Sequence, residues 1–259
     1  MLDDIHALLD TLRLRHARAA VDEAIKAAQK NKPSYSAFLL ELLRREHAGQ
    51  RDRAIASRLK RSGLDEFWTL ETFPFHIQKC VDKRAIYGLA ELDFINQGKS
   101  LVFIGQAAVG KSGLASGILM KAIYADKRCQ AIKADQLFDD LRASHADRTT
   151  RSRVERLSRL DVLLIEEFGY VNALDPRQIN DFFRIMGNRC NRKSTIITTN
   201  LGFDEWGKFL CNGPLVAALV SRLLQKCQTI VFPKDAVNLR APKLGLPARA
   251  ERPAILDVV

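Results

Sequence analysis

The sequence predicts an α/β fold, a parallel sheet flanked by helices and preceded by a small all-α domain, and three observations predict it. From residue 67 onward short apolar runs alternate with longer amphipathic stretches, the texture of a parallel sheet covered on both faces. Between one such pair lies Gly105-Gln106-Ala107-Ala108-Val109-Gly110-Lys111-Ser112, which satisfies G-x-x-x-x-G-K-[ST]. Further along, DVLLIEEF runs four apolar residues into the paired carboxylates Glu166 and Glu167.

The first 66 residues read as helical. Leu8, Leu9, Leu12 and Leu14, then Ala17, Ala20, Val21, Ala24, Ile25 and Ala28, recur near helical spacing, and Pro33 breaks the run. A second helix is expected from about Ser34 to Ser36, carrying Phe38, Leu39, Leu42 and Leu43. The aromatic link Phe67-Trp68-Thr69-Leu70-Glu71-Thr72-Phe73-Pro74-Phe75 changes the texture, so the boundary is placed before it. Strands are expected at 101–104, 130–133, 162–166, 195–199 and 229–232, with helices between them. The domains read as 1–66, 67–240 and a loose tail at 241–259, where Pro242, Pro247 and Pro253 fall among mixed charges.

The glycine-rich octapeptide has the chemistry of a phosphate cradle. A buried strand before it and a helix from Gly113 after it direct backbone N–H groups and a helix N-terminus at one anion site. Lys111 supplies positive charge to β and γ phosphates, and the Ser112 hydroxyl suits Mg²⁺. The nucleotide contacts are therefore placed at Gly105, Gln106, Ala107, Ala108, Val109, Gly110, Lys111, Ser112 and Gly113. Carboxylates at the C-terminal end of a buried parallel strand face the crevice where ligands sit in open sheets. Glu166 is expected beside the metal with Ser112, and Glu167 beside an attacking water. Asp is usual at the first of these positions; Glu166, one methylene longer, reaches the metal directly or through a water.

Composition narrows the class. The chain has 259 residues, and 41 basic against 30 acidic side chains give a net charge of +11, which points to an anionic partner. One basic cluster holds Arg44, Arg45, Arg51, Arg53, Arg58, Lys60 and Arg61. Another holds Arg142, Arg148, Arg151, Arg153, Arg156 and Arg159. The first lies outside the nucleotide core in a helical region poor in aromatics, so contact with a phosphate backbone is expected rather than base stacking. The five cysteines are dispersed with no C-x-x-C pair and read as reduced thiols. No signal peptide is expected, and no stretch reaches the roughly 18 apolar residues of a membrane span. A cytoplasmic protein without membrane contact is the expectation.

The ordered set of motifs resembles the IstB-like ATPases, transposition helpers of bacterial insertion sequences and relatives of DnaC-type helicase loaders in the AAA+ superfamily. The resemblance runs from Leu12 to about Arg240, through LRLRHARAAVDEAI, LDFINQGKSLVFIGQAAVGKSGLA, LSRLDVLLIEEFGY, STIITTNLGFDEW and PLVAALVSRLLQKC. It implies an AAA+ ATPase using ATP and Mg²⁺, acting on double-stranded DNA with a transposase, and forming a homo-oligomer through ATP-bridged interfaces. By the same resemblance, Asn200 matches the sensor of the γ-phosphate and Arg222 the second sensor. Arg189 resembles the arginine finger that reaches a neighbouring subunit, with Arg192 close enough to take that part. The chain departs from the pattern in AAVGKS for PPGTGKT, in Glu166 for Asp, and in Lys234-Asp235-Ala236-Val237-Asn238-Leu239-Arg240 for G-x-S-Y-R. These departures allow a nucleotide-dependent scaffold that does not hydrolyse. A replicative helicase loader is the alternative function; the LRL-containing first helix and the basic second region favour the helper.

Overall fold

Small and aliphatic residues at helical spacing build the first of two compact units, Met1–Ser57. The structure, a computed structural model, describes residues 1–171, 174–211 and 213–240; the expected tail at 241–259 lies outside the described residues. Helix α1 (Leu2–Thr11), α2 (Arg15–Asn31) and the first part of α3 (Tyr35–Arg61) make up this unit. Ala17, Val21 and Ala24 line one side of α2 and pack with Leu42 of α3, with Leu9, Leu14, Ile25 and Phe38 around them. Pro33 separates α2 from α3 as expected, because its ring disfavours helical backbone at the preceding residue. Lys32 there takes the left-handed conformation, φ 46°.

Helix α2 has no capping side chain of its own, since Leu14 stands at its N-cap. The need is met from α3: the Glu46 carboxylate accepts from the backbone N–H of His16 at 2.7 Å and of Ala17 at 2.8 Å. Gln50 Nε2 adds a third donor at 2.9 Å. Glu46 is only 3% exposed, so these bonds offset the desolvation of its charge. Burial by itself would raise the carboxyl, but the hydrogen bonds from Ala17, Gln50 and His16 outweigh it and hold it below the ordinary carboxylate value.

The second unit begins at Arg58, inside α3. In chain order it contains α4 (Lys83–Ala90), α5 (Asp93–Asn96), β1 (Ser100–Ile104), α6 (Lys111–Tyr124), β2 (Cys129–Lys133), α7 (Ala134–Ala146), α8 (Thr150–Arg159) and β3 (Val162–Phe168). There follow α9 (Pro176–Arg189), β4 (Ser194–Thr199), α10 (Trp206–Phe209), α11 (Gly213–Gln225) and β5 (Cys227–Val231). All five expected strands form, within two residues of the expected ends. They make one sheet in the order β2-β3-β4-β1-β5 with every neighbouring pair parallel. Helix α6 packs across β1 to β4, and its inner side is buried from Leu114 to Ile123. A second core is built by Phe138, Phe182, Ile185, Trp206 and Leu219 against Val102, Leu163, Ile165 and Ile197.

This order separates β1 from β2 by two strands, so β1 lies between β4 and β5. The chain leaves β1 and returns two strands away, which opens a crevice at the C-terminal ends of β1, β4 and β3. On the far side, the edge of β2 is partly covered: the Ser62 carbonyl accepts from the Ala131 N–H at 2.6 Å. Covering an edge removes a template for unwanted pairing.

Replacing Glu46 with Ala strips two N–H groups at the start of α2 of their acceptor. We expect a loss of ~1–3 kcal/mol of stability at neutral pH, read by urea unfolding followed by circular dichroism. A carboxyl depressed in the folded state stabilises above its unfolded pKa and ceases to do so as pH falls through its folded value. The gap between wild type and Glu46→Ala should therefore close as pH is lowered below the carboxylate range.

Candidate active site

The octapeptide expected to cradle phosphate leaves β1 and enters α6, whose first residue is Lys111. Two of its residues take left-handed backbone: Ala108 with φ 62° and Gly110 with φ 102°. Alternating left- and right-handed residues turn successive N–H groups toward one point and form an anion nest. Ala108 is strained there, where glycine would not be. At Gly110 a side chain is excluded twice, by its φ and because a Cβ would lie 2.7 Å from the Phe73 ring.

The Lys111 ammonium donates to the Gly105 carbonyl at 2.8 Å and the Gln106 carbonyl at 2.6 Å, lying back along its own loop. Burial pushes its pKa down to about 8, against the pull of the Glu167 charge. An anion bound in the nest would relieve that desolvation.

Strand β3 delivers the two carboxylates through a bulge. Ile165 pairs with Ile197 of β4 and Phe168 with Thr199, so one extra residue is accommodated at Glu166 and Glu167. Glu167 takes φ 57°, an unfavourable conformation for a branchless but bulky side chain, and is exposed to the crevice. Its N–H donates to Thr198 Oγ1 at 3.1 Å. Phe168 anchors the bulge from below, its ring 4.7 Å from Trp206 and 4.9 Å from Phe209.

Glu166 turns toward α6. Burial raises its carboxyl pKa, partly offset by a hydrogen bond from the Ser112 hydroxyl. A hydroxyl and a carboxylate in contact at the foot of a phosphate nest are hard oxygen donors. They fit Mg²⁺, which keeps several waters and takes one or two carboxylates beside substrate phosphates. Glu166 thus reaches Ser112 despite the extra methylene.

Asn200 follows the last residue of β4 and is exposed at the same edge. It adjoins the turn after Glu167, since a Cβ on Gly169 would fall 3.0 Å from Asn200 Oδ1. The structure therefore brings Lys111, Ser112, Glu166, Glu167 and Asn200 to one crevice.

Two arginines are not brought there. Arg189, expected to reach a neighbour's nucleotide, is 1% exposed. Its Nε donates to Thr195 Oγ1 at 3.0 Å, and Nη1 to the carbonyls of Leu157 at 2.7 Å and Leu160 at 2.9 Å. Nη2 donates to the Ser194 carbonyl. Burial lowers its pKa to about 10. A guanidinium committed to four internal acceptors cannot extend into another subunit, which corrects the expectation. Its neighbour Arg192 is exposed. Arg222 is not brought there either: with Gly98, Ser100, Asn191, Thr195 and Lys226 it lines a shallow cleft where β1 and β4 begin. That is the sheet edge opposite the loop, so Arg222 does not sense a nucleotide held by its own chain.

Other residues at the crevice carried no signal in the sequence. Gln78 is 1% exposed and ties the loop to the segment after β5: its Nε2 donates to the carbonyls of Val109 at 2.8 Å and Val237 at 2.9 Å. The Val237 N–H returns to Gln78 Oε1 at 3.2 Å, and the Leu239 N–H donates to the Ala108 carbonyl at 2.8 Å. One glutamine in FPFHIQKC has no periodicity or motif to mark it.

The basic clusters differ. In the second, Arg142, Arg151, Arg153 and Arg159 pair with Asp139, Glu155, Asp140 and Glu155, so much of its charge is offset. In the first, Arg44 and Arg51 are exposed and enter no ion pair among the described residues.

Comparison with known proteins finds relatives over most of the chain. The family model described as IstB-like ATP binding protein matches residues 7–244. A protein of insertion sequence IS21 from Pseudomonas aeruginosa, named for ATP binding, is 29% identical over 92% of this chain and 90% of its own. One of IS5376 from Geobacillus stearothermophilus, named likewise, is 30% identical over 94% of this chain and 97% of its own. Among solved structures, the DnaC helicase loader superposes with a TM-score of 0.54 at 22% identity, over 64% of this chain and 96% of that one. AMPPCP-bound DnaA from Aquifex aeolicus gives 0.51 at 19% identity, over 63% and 50%. Both share a fold with roughly two thirds of this chain.

Arg189→Met leaves the carbonyls of Leu157, Leu160 and Ser194 without their donor. Unfolding free energy should drop by more than about 3 kcal/mol, measured by chemical denaturation. Unchanged stability with hydrolysis abolished would instead indicate a finger.

Proposed function

The chain belongs to the IstB-like ATP binding protein family, and on that premise we propose that it is an ATP-hydrolysing, DNA-binding helper of transposition that assembles on target DNA and recruits or stimulates a transposase. The observation that carries the reading is the convergence of Lys111, Ser112, Glu166, Glu167 and Asn200 on one crevice beside a phosphate nest. The insertion-sequence names of the relatives supply the biological setting.

In this reading the nest N–H groups and Lys111 hold the ATP phosphates and α6 contributes the positive end of its dipole. Ser112 and Glu166 would hold Mg²⁺, which neutralises charge on the β and γ phosphates when bound. Glu167, exposed and without an ion-pair partner among the described residues, orients the attacking water. Asn200 hydrogen-bonds the γ-phosphate or that water. Phosphoryl transfer depends on such positioning more than on covalent chemistry from the protein.

ATP-bridged assembly follows from the arginines. Arg192 and Arg222 sit on the strand-start edge, exposed, where a head-to-tail neighbour could present its loop. Hydrolysis that waits for a neighbour would be slow in the isolated chain and would rise with assembly or DNA. The basic surface of α3, where Arg44 and Arg51 enter no ion pair among the described residues, would contact DNA phosphates, and the protein would act in the cytoplasm where DNA and transposase meet. Among the described residues no helix is long and apolar enough to cross a membrane.

Two outcomes are expected. DNA affinity, measured by fluorescence anisotropy with ATP present, should fall by ~10²-fold or more between 50 and 200 mM salt, and Arg44→Ala with Arg51→Ala should flatten the logarithmic slope by about 2. Affinity insensitive to salt and nucleotide would overturn the DNA-binding reading.

Lys111→Ala should abolish ATP binding, whereas Arg192→Ala or Arg222→Ala should keep binding and lose hydrolysis by up to ~10³-fold if it acts across an interface. Mixing Lys111→Ala with that arginine variant should restore part of the phosphate release, because one interface then holds an intact lysine and an intact arginine. No recovery in mixed oligomers shown to form would place the complete site within one chain.

A further inference from the structure

Three charged groups, Lys133, Asp65 and Glu166, lie near Glu167. Lys133 ends β2 in register with Glu166 on β3, and its ammonium lies 2.8 Å from the Asp65 carboxylate. Lys133 is also an electrostatic neighbour of Glu166 and Glu167, and Glu166 is in turn influenced by Asp65. Lys133 thus feels three carboxylates, and Asp65 is the one in contact with its ammonium.

The pair is exposed, Lys133 at 46% and Asp65 at 71% of the side chain, where an ion pair contributes little to stability. What it does decide is which carboxylate the ammonium meets. Lysine carries its charge on a flexible four-carbon stem, and adjacent strands are only ~4.8 Å apart. Released from Asp65, Lys133 has two acidic neighbours. Glu166 is mostly buried and already accepts from Ser112. Glu167 is exposed, with no ion pair among the described residues, and is the acceptor left to it.

We propose that Asp65 is a positioning residue for Glu167: by retaining the Lys133 ammonium it keeps that lysine from capturing the Glu167 carboxylate, which stays free to orient the attacking water. This rests on the hydrolytic reading given above. Asp65 also connects the site to the basic helix. It lies four residues after Arg61, the last residue of α3, and between them the Ser62 carbonyl bonds the Ala131 N–H of β2 at 2.6 Å, two residues before Lys133. Arg58 of α3 is paired with Asp126, three residues before β2. The end of α3 and β2 are thus joined by the Ser62–Ala131 hydrogen bond and by the Asp65–Lys133 ion pair.

The test compares phosphate release and ATP affinity for full-length wild type, Asp65→Asn, Asp65→Glu, the double variant Asp65→Asn with Lys133→Met, and Glu167→Gln. Asp65→Asn should lower kcat roughly tenfold or more, since a captured base is withdrawn from the reaction, with ATP affinity unchanged. Asp65→Glu, which keeps the charge, should retain most of the rate. Adding Lys133→Met to Asp65→Asn should restore the rate, because the capturing group is gone; a merely structural pair would give a double variant no better than the single. An Asp65→Asn rate equal to wild type, or a double variant as slow as Asp65→Asn, would overturn the proposal while leaving the hydrolytic reading in place. Wild-type protein whose phosphate release does not depend on Glu167 would remove both.

Discussion

The end of β4 is the constraint on which the site depends. This strand lies between β1 and β3, and its last two residues bond to both. The Thr199 carbonyl accepts from the Gly105 N–H at 3.1 Å, fixing the start of the phosphate loop. The Thr199 hydroxyl donates to the Phe168 carbonyl at 2.5 Å and accepts from the Leu201 N–H at 3.0 Å. Thr198 Oγ1 receives the Glu167 N–H. Both threonines are buried, so these bonds form in a low-dielectric setting where leaving a partner unpaired is costly. Loop, bulge and Asn200 are held in one frame by two adjacent side chains.

Two of the chain's left-handed non-glycine residues, Ala108 and Glu167, lie in this frame. Such conformations cost of order 1–3 kcal/mol and persist only where the surroundings over-determine them. Around Glu167 the determining contacts are the Thr198 hydroxyl and the aromatic cluster under Phe168. Around Ala108 they are the Leu239 N–H and, one residue on, Gln78. The segment after β5 is therefore part of the loop's support, although it lies more than a hundred residues away in sequence.

Charge is distributed by the same logic of burial and partners. Arg189 is a cation turned inward to satisfy carbonyls at the C-terminal end of α8 and the start of β4, where helix and strand ends leave acceptors unpaired. Asp161 collects Arg128 and Lys193, and most arginines of α7 and α8 have acidic partners. Against this background Arg44 and Arg51 of α3, without ion pairs among the described residues, and the exposed Arg192 and Arg222 at the far sheet edge are where positive charge remains available for phosphate.

The local sequence determined the elements and the chemistry of the crevice. Buried strands read as apolar runs, because both faces of a parallel sheet are covered. The nest had to fall between β1 and α6, since glycine, lysine and serine at that spacing serve only where a strand turns into a helix. Glu166 and Glu167 at the end of an apolar run had to meet that nest once the strands were parallel. Sequence could not determine the direction or burial of single polar side chains, because that depends on neighbours far along the chain. Arg189 and Arg192 are equivalent in GNRCNRKSTI, and only packing against α8 and β4 buries the first and leaves the second in water. Arg222 is an arginine on a helix until the sheet order sets that helix end opposite the loop. Gln78, Glu46 and the Asp65–Lys133 pair became visible only in the fold, for each acts through a partner at least 29 residues distant.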